Sequence, residues 1–186
     1  MRRAVAVVTV LAVSTPALAD ERGPYVHGFG TLALGESLRM NNPFRLPGAL
    51  GKTPESISLA APYVDLGFGA TLGAPSGLQH GVLVHASIAT SGIPQTVVTP
   101  SYVALLRLPS IMPYARAGVP FILTPTSNVG GELALGAIYP FTGVFGVTAE
   151  LGASGFYGAA TREVSATFVP LVFAQVGVAF DLEVLP

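Results

Sequence analysis

From Tyr63 to Gly73 the chain alternates strictly. The even positions are Val64, Leu66, Phe68, Ala70 and Leu72, and the odd ones are Tyr63, Asp65, Gly67, Gly69, Thr71 and Gly73. Val172–Val184 repeats the pattern, with Val172, Ala174, Val176, Val178, Phe180, Leu182 and Val184 on one side. Phe173, Gln175, Gly177, Ala179, Asp181 and Glu183 lie between them. Successive strand side chains point to opposite faces, so each segment predicts a strand with one apolar face. At 11 and 13 residues, both are long enough to cross a bilayer when tilted.

Less regular alternation places six more strands at Tyr25–Leu34, Leu78–Thr90, Val98–Leu108, Pro113–Leu123, Gly131–Tyr139 and Val144–Ala153. The connections alternate in length. Gly35–Pro62 is a 28-residue loop, whereas Ala74–Gly77, Pro109–Met112 and Pro140–Gly143 are tight turns. Ser91–Val97, Thr124–Gly130 and Ser154–Leu171 make the longer connections on the other side. Short turns at one end and long loops at the other are the rhythm of an outer-membrane barrel. The expected fold is all-β, an eight-stranded antiparallel up-and-down transmembrane β-barrel, and its even strand count returns both termini to the periplasm.

Two uncharged windows, Leu133–Ala149 and Val164–Phe180, compete as spanning helices. Each has seventeen residues, at the lower limit for a span, and each contains proline and glycine. Tyr139-Pro140-Phe141-Thr142-Gly143 puts a turn signal inside the first, and the second alternates. The strand reading accounts for both.

Composition points to lipid as the solvent. Charged residues make up 10% of the chain, against about 25% in a soluble domain. Mean hydropathy is +0.62, yet there are 22 glycines and 16 prolines. A water-soluble surface would be hard to cover with so few charges. No cysteine is present, so neither a disulfide framework nor a thiolate metal site is available. Lys52 is the single lysine, and no basic patch suggests nucleic acid.

The strand charges are Asp65, Arg107, Arg116, Glu132, Glu150, Asp181 and Glu183, roughly one per strand. So few cannot solvate an exterior, but they can pair inside a narrow lumen beside Gly, Ser and Thr. The expectation is a structural lumen network centred on Arg116 with Glu132 and Glu150, which plugs the barrel and fixes strand register. Tyr25, Tyr63, Tyr102, Tyr114, Tyr139, Phe141 and Phe145 fall near strand ends, where interfacial girdles would sit.

The N-terminus reads as an export signal. Arg2 and Arg3 precede the apolar stretch Ala4–Val13, and Ala17-Leu18-Ala19 supplies a small-x-small cleavage site. Cleavage after Ala19 would leave residues 20–186 as the barrel domain, with seven Lys/Arg and ten Asp/Glu and hence a net charge of −3.

Chemical motifs are sparse. Gly51-Lys52-Thr53 lacks the first glycine of a phosphate loop, since Leu46 stands there, and Pro54 blocks the helix. The Gly28/Gly30 and Gly67/Gly69 pairs lack the third glycine of a dinucleotide fingerprint. His85 and Ser87 share a strand face, so an imidazole could activate a hydroxyl there. His27, His80 and His85 show no metal-ligand spacing. No catalytic, cofactor-binding or metal-binding set is assigned, and no cofactor is expected.

The stretch Pro113-Tyr114-Ala115-Arg116-Ala117-Gly118-Val119-Pro120, with Gly131-Glu132-Leu133-Ala134-Leu135-Gly136 and Val147-Thr148-Ala149-Glu150-Leu151-Gly152, resembles small outer-membrane β-barrel domain proteins, the OmpA/OmpX-like eight-stranded group. The likeness covers about half of the mature chain. It implies an architecture and an outer-membrane location but transfers no site. One departure is the ending Val184-Leu185-Pro186, where the group carries a terminal aromatic residue. His85-Ala86-Ser87 is similar to the His-x-Ser element of the lipid A deacylases, which implies a lipid-modifying enzyme as an alternative. A second alternative is a secreted or periplasmic soluble barrel with inward apolar rows and an apolar ligand. The leading expectation is a non-enzymatic barrel in contact with outer-membrane lipid, with Gly35–Pro62 as the surface for a partner.

Overall fold

The computed structural model describes residues 25–40, 57–157 and 168–185. The export signal and the loop charges Arg45, Lys52, Glu55, Arg162 and Glu163 lie outside these residues. Ten strands follow in order. They are β1 (Tyr25–Met40), β2 (Ile57–Leu59), β3 (Tyr63–Gly73), β4 (Gly77–Ala89), β5 (Thr96–Arg107), β6 (Met112–Gly118), β7 (Phe121–Thr124), β8 (Asn128–Pro140), β9 (Phe145–Tyr157) and β10 (Phe168–Leu185).

Sequential neighbours pair antiparallel, and β10 closes onto β1 through a register running from Val26↔Leu185 to Arg39↔Leu171. The sheet is thus a closed up-and-down barrel without a free edge, so its backbone groups pair internally. It has eight staves, because two of them are interrupted. β2 continues β3 along the far end of β1 through Leu38↔Leu59. β6 and β7 form the other divided stave.

The break in that second stave has a chemical cause. Pro120 has no N–H to donate, so Pro113–Leu123 does not run as one strand. Val119 N still bonds Pro100 O at 3.0 Å, and Gly130 N bonds Pro120 O at 2.9 Å. Ser101↔Gly118 and Val98↔Phe121 keep one register across the break, and the Pro120 ring is buried.

Other boundaries also differ from the pattern. β1 extends six residues past Leu34, because Gly35–Met40 continues the alternation and finds partners on β10 and β2. Gly35–Pro62 is therefore not one 28-residue loop, since both its ends are strand. Ser154–Leu171 likewise gives its ends to β9 and β10. The turn from Gly73 to Gly77 is tight because Gly77 adopts φ 117°, which a side chain would resist.

The two faces of the sheet differ sharply. Leu135 is 70% exposed and Leu133 67% exposed, while Asp65 and Glu150 are 2% and 3% exposed. Val64, Leu66, Phe68, Ala70 and Leu72 form an outward row, and Val172–Val184 presents its even residues outward as well. Glu36 is the only Asp, Glu, Lys or Arg on the outward rows of the described strands. This orientation does not favour a soluble barrel with inward apolar rows.

Candidate functional site in the barrel lumen

The lumen is layered. At the end that holds Tyr25, the β10 terminus and the tight turns, Arg107 on β5 grips Asp181 on β10 bidentately. Nη1 lies 2.5 Å from Oδ2 and Nη2 lies 2.8 Å from Oδ1. Arg107 Nε donates to Gln79 Oε1 at 2.7 Å, which also accepts the Thr71 hydroxyl at 2.9 Å. His27 Nδ1 stands 3.4 Å from Asp181, and Glu183 is exposed at the mouth.

Above this network lies an apolar layer of Phe29, Leu83, Val103, Leu105, Met112, Tyr114, Ile138 and Ala179. The alternation of β4 and β5 puts Leu83, Val103 and Leu105 inward, so the inner face is not confined to the charged and small residues expected there. Eight strands enclose a space that side chains fill. Tyr114 therefore packs inside, opposite Gly136, and is not part of an interfacial girdle. Tyr63 also turns inward, onto Gly35. Tyr102, Tyr139, Phe141 and Phe145 are exposed.

The far half of the lumen is polar again. Arg116 on β6 donates from Nε and Nη2 to Glu150 Oε2 and Oε1 at 2.9 and 2.7 Å. Its Nη1 donates to Glu132 Oε1 at 2.5 Å. Gln175 Nε2 donates to Glu150 Oε1 at 2.9 Å, and the guanidinium lies over the Phe173 ring at 5.8 Å. Adjacent staves carry these groups, since β6 pairs β8, β8 pairs β9 and β9 pairs β10.

A second cluster sits on the opposite wall. Asp65 Oδ1 contacts His85 Nδ1 at 2.5 Å, and Asp65 Oδ2 accepts the Ser87 hydroxyl at 2.7 Å. The pairing Asp65↔Ser87 places all three side chains on the inner face of β3 and β4. Asp65 is thus the carboxylate that sequence spacing alone did not attach to His85. The order is nevertheless wrong for an activated nucleophile, which needs its base between the hydroxyl and the carboxylate. Here the carboxylate bridges the other two, and His85 Nε2 is buried without a partner. The cluster also faces the lumen, away from any lipid chain on the exterior.

Among the described residues, no group of three or more His, Cys, Asp or Glu is arranged to hold a metal ion. A cavity of about 100 Å³ lies between the two polar clusters, with Ser37, Ala61 and Gln95 towards the far rim. His80, by contrast, is on the outward face, where its Nδ1 meets the Tyr102 hydroxyl.

Apolar rows outside and paired charges inside define an eight-stranded transmembrane β-barrel of the outer-membrane type. No protein-family model matches the chain, and no curated protein matches it. Solved structures similar to it include three outer-membrane proteins. Neisserial surface protein A is 14% identical, with 86% of this chain and 99% of that one covered and a TM-score of 0.48. Ail, the attachment invasion locus protein of Yersinia pestis, is 8% identical over 84% of this chain and 98% of its own, at a TM-score of 0.49. The N-terminal β-barrel domain of OprF from Pseudomonas aeruginosa is 12% identical over 82% and 97%, at a TM-score of 0.46.

Proposed function

We propose that this chain is an integral outer-membrane barrel with a structural or surface-interaction role and no catalysis of its own. The Met1–Ala19 segment directs export, and residues 20–186 form the barrel domain. The observation that carries the reading is the inverted polarity of the wall, whose described outward rows carry one formal charge, Glu36. Such a surface is stable against hydrocarbon and unstable against water.

Asp65, Arg107, Arg116, Glu132, Glu150 and Asp181 serve structure, with Glu183 at the mouth. They tie staves together, adjacent ones through Arg116–Glu132 and Asp65–His85 and distant ones through Arg107–Asp181, and with the apolar layer beneath the Arg116 network they close the lumen. Charges buried this deeply are tolerable because they are paired and hydrogen-bonded. Contact with a surface partner falls at the far rim, where Met40, Ile57 and Leu59 are exposed.

Heat-modifiable gel migration of protein recovered in the outer-membrane fraction tests this directly. The reading predicts a compact, faster band before boiling and a slower one after. Recovery as a soluble monomer without detergent would contradict it.

A further inference from the structure

We propose that the far half of the lumen is a blind binding pocket for a small neutral polyol. This goes beyond the structural role of the lumen charges and needs only the closed barrel. The layer of Phe29, Leu83, Val103 and Leu105 closes the space on the near side. A cavity of about 100 Å³ remains above it. At about 30 Å³ per water in the liquid, that is room for roughly three waters, or for one three-carbon polyol.

The two sides of this cavity differ in chemistry. In a ring of eight staves, β4 stands opposite β9, and β5 stands opposite β10. β9 and β10 bring Phe156, Leu171 and Phe173 to the space, whereas β4 and the start of β5 bring Ser87, Gln95 and Thr99. A largely aromatic wall therefore faces hydroxyls and an amide, with Ser154 beside the rings on β9. Water satisfies the polar side but wets the rings at a cost. A polyol matches both walls, because it carries C–H groups for the rings and hydroxyls for the opposite side.

Hydrogen bonding selects a hydroxyl. The side chains of Gln95, Thr99 and Ser154 line the cavity and make no hydrogen bond among the described residues. Ser87 gives its proton to Asp65 and so offers only lone pairs. A hydroxyl both donates and accepts, which lets one kind of group serve all of them. His85 takes no part in the selection, since its Nδ1 is held by Asp65 and its Nε2 is enclosed in the wall.

Charge argues against an ion. Among the groups that line the cavity, Arg116 is bound by Glu132 and Glu150, and Asp65 by His85 and Ser87. Arg39, farther along the inner row of β1, does not line the space. An entering ion would have to take its partner from one of these contacts, and breaking a buried pair is costly. A neutral ligand leaves them intact.

The test is an NMR titration of the isotope-labelled mature barrel in detergent, read at its backbone amides. The ligands are glycerol, n-propanol, n-propylammonium and propionate, all on the same three-carbon chain. Glycerol should shift the amides of Ser87, Thr99 and Ser154 saturably, with an affinity on the order of millimolar. Thr71 and Gln79, on the other side of the apolar layer, should not move. Thr99→Val and Ser154→Ala should each weaken binding roughly fivefold, the loss of one hydrogen bond. Shifts that never saturate or that spread evenly over both ends of the lumen would overturn the proposal. So would an equal response to n-propanol or to either ion, or unchanged affinity in both folded variants. Gel mobility of the same samples shows whether each variant is folded. Should both misfold, the four-ligand comparison on the unaltered protein decides. A folded barrel that ignores glycerol would refute the pocket and leave the membrane reading standing.

Discussion

Replacing Arg116 with Met isolates the energetics of the lumen. Arg116 is 5% exposed, and its guanidinium donates twice to Glu150, once to Glu132 and, at 3.4 Å, to Ser101 Oγ. Methionine keeps much of the volume but removes the charge, leaving two buried carboxylates without their cation. Breaking a buried pair from one side costs about 3–5 kcal/mol. That is a fall of roughly two to three and a half powers of ten in the folding equilibrium constant. The assay is urea unfolding in lipid vesicles, read by gel mobility of the folded band. The companion variant Arg116→Met/Glu132→Leu/Glu150→Met replaces the whole network by apolar side chains, and it should restore stability to near the starting value. A single variant within about 1 kcal/mol of the unaltered protein would refute the reasoning, because an ordinary buried ion pair costs more to break. A triple variant as unstable as the single one would refute it equally.

Three further outcomes follow from the layered lumen and the outward rows. Leu135→Arg should cost about 2–4 kcal/mol in vesicle unfolding, since a cation would enter the hydrocarbon; an unchanged midpoint would mean that this face meets water. Leu83→Ala, in the apolar floor, should cost about 2–5 kcal/mol in the same assay, and a negligible change would mean that the floor is loosely packed. Planar bilayer recordings of the unaltered barrel should show no discrete conductance steps, because Leu83, Val103 and Leu105 close the lumen. Steady single-channel openings would contradict that closure.

The barrel was legible in the sequence because its strands obey a period of two. Tyr63–Gly73 forms β3 with the same limits, and the even residues of Val172–Val184 do face outward. Ends were less legible. Gly35–Met40 mixes Gly, Glu and Arg, and its partners on β10 and β2 make it strand. The break at Pro120 likewise depends on one missing N–H within an otherwise regular alternation.

The site was readable only in part. Alternation alone says that Asp65, His85 and Ser87 share the inner face if their strands sit side by side. Which residues meet depends on register, and one step would exchange inner for outer side chains. The pairing Asp65↔Ser87 supplies that information. The apolar floor was not legible because Leu83, Val103 and Leu105 interrupt inner rows that are otherwise mostly polar, with Gln79, His85 and Ser87 on β4 and Thr99 and Ser101 on β5. In Leu78–Ala86 and Val98–Leu106 no polar row marks the inside along the whole length.

The central claim is that the even residues of β3 face hydrocarbon while the odd ones face the lumen. The chain has no cysteine, so single cysteines from Val64 to Leu72 can each carry a nitroxide spin label. Oxygen and a water-soluble nickel reagent then report lipid and water exposure in a reconstituted bilayer. The account predicts high oxygen access at Leu66, Phe68 and Ala70 and low access at Asp65, Gly67 and Thr71, a strict period of two. Nickel access at the even positions, with oxygen access confined to the odd ones, would contradict it.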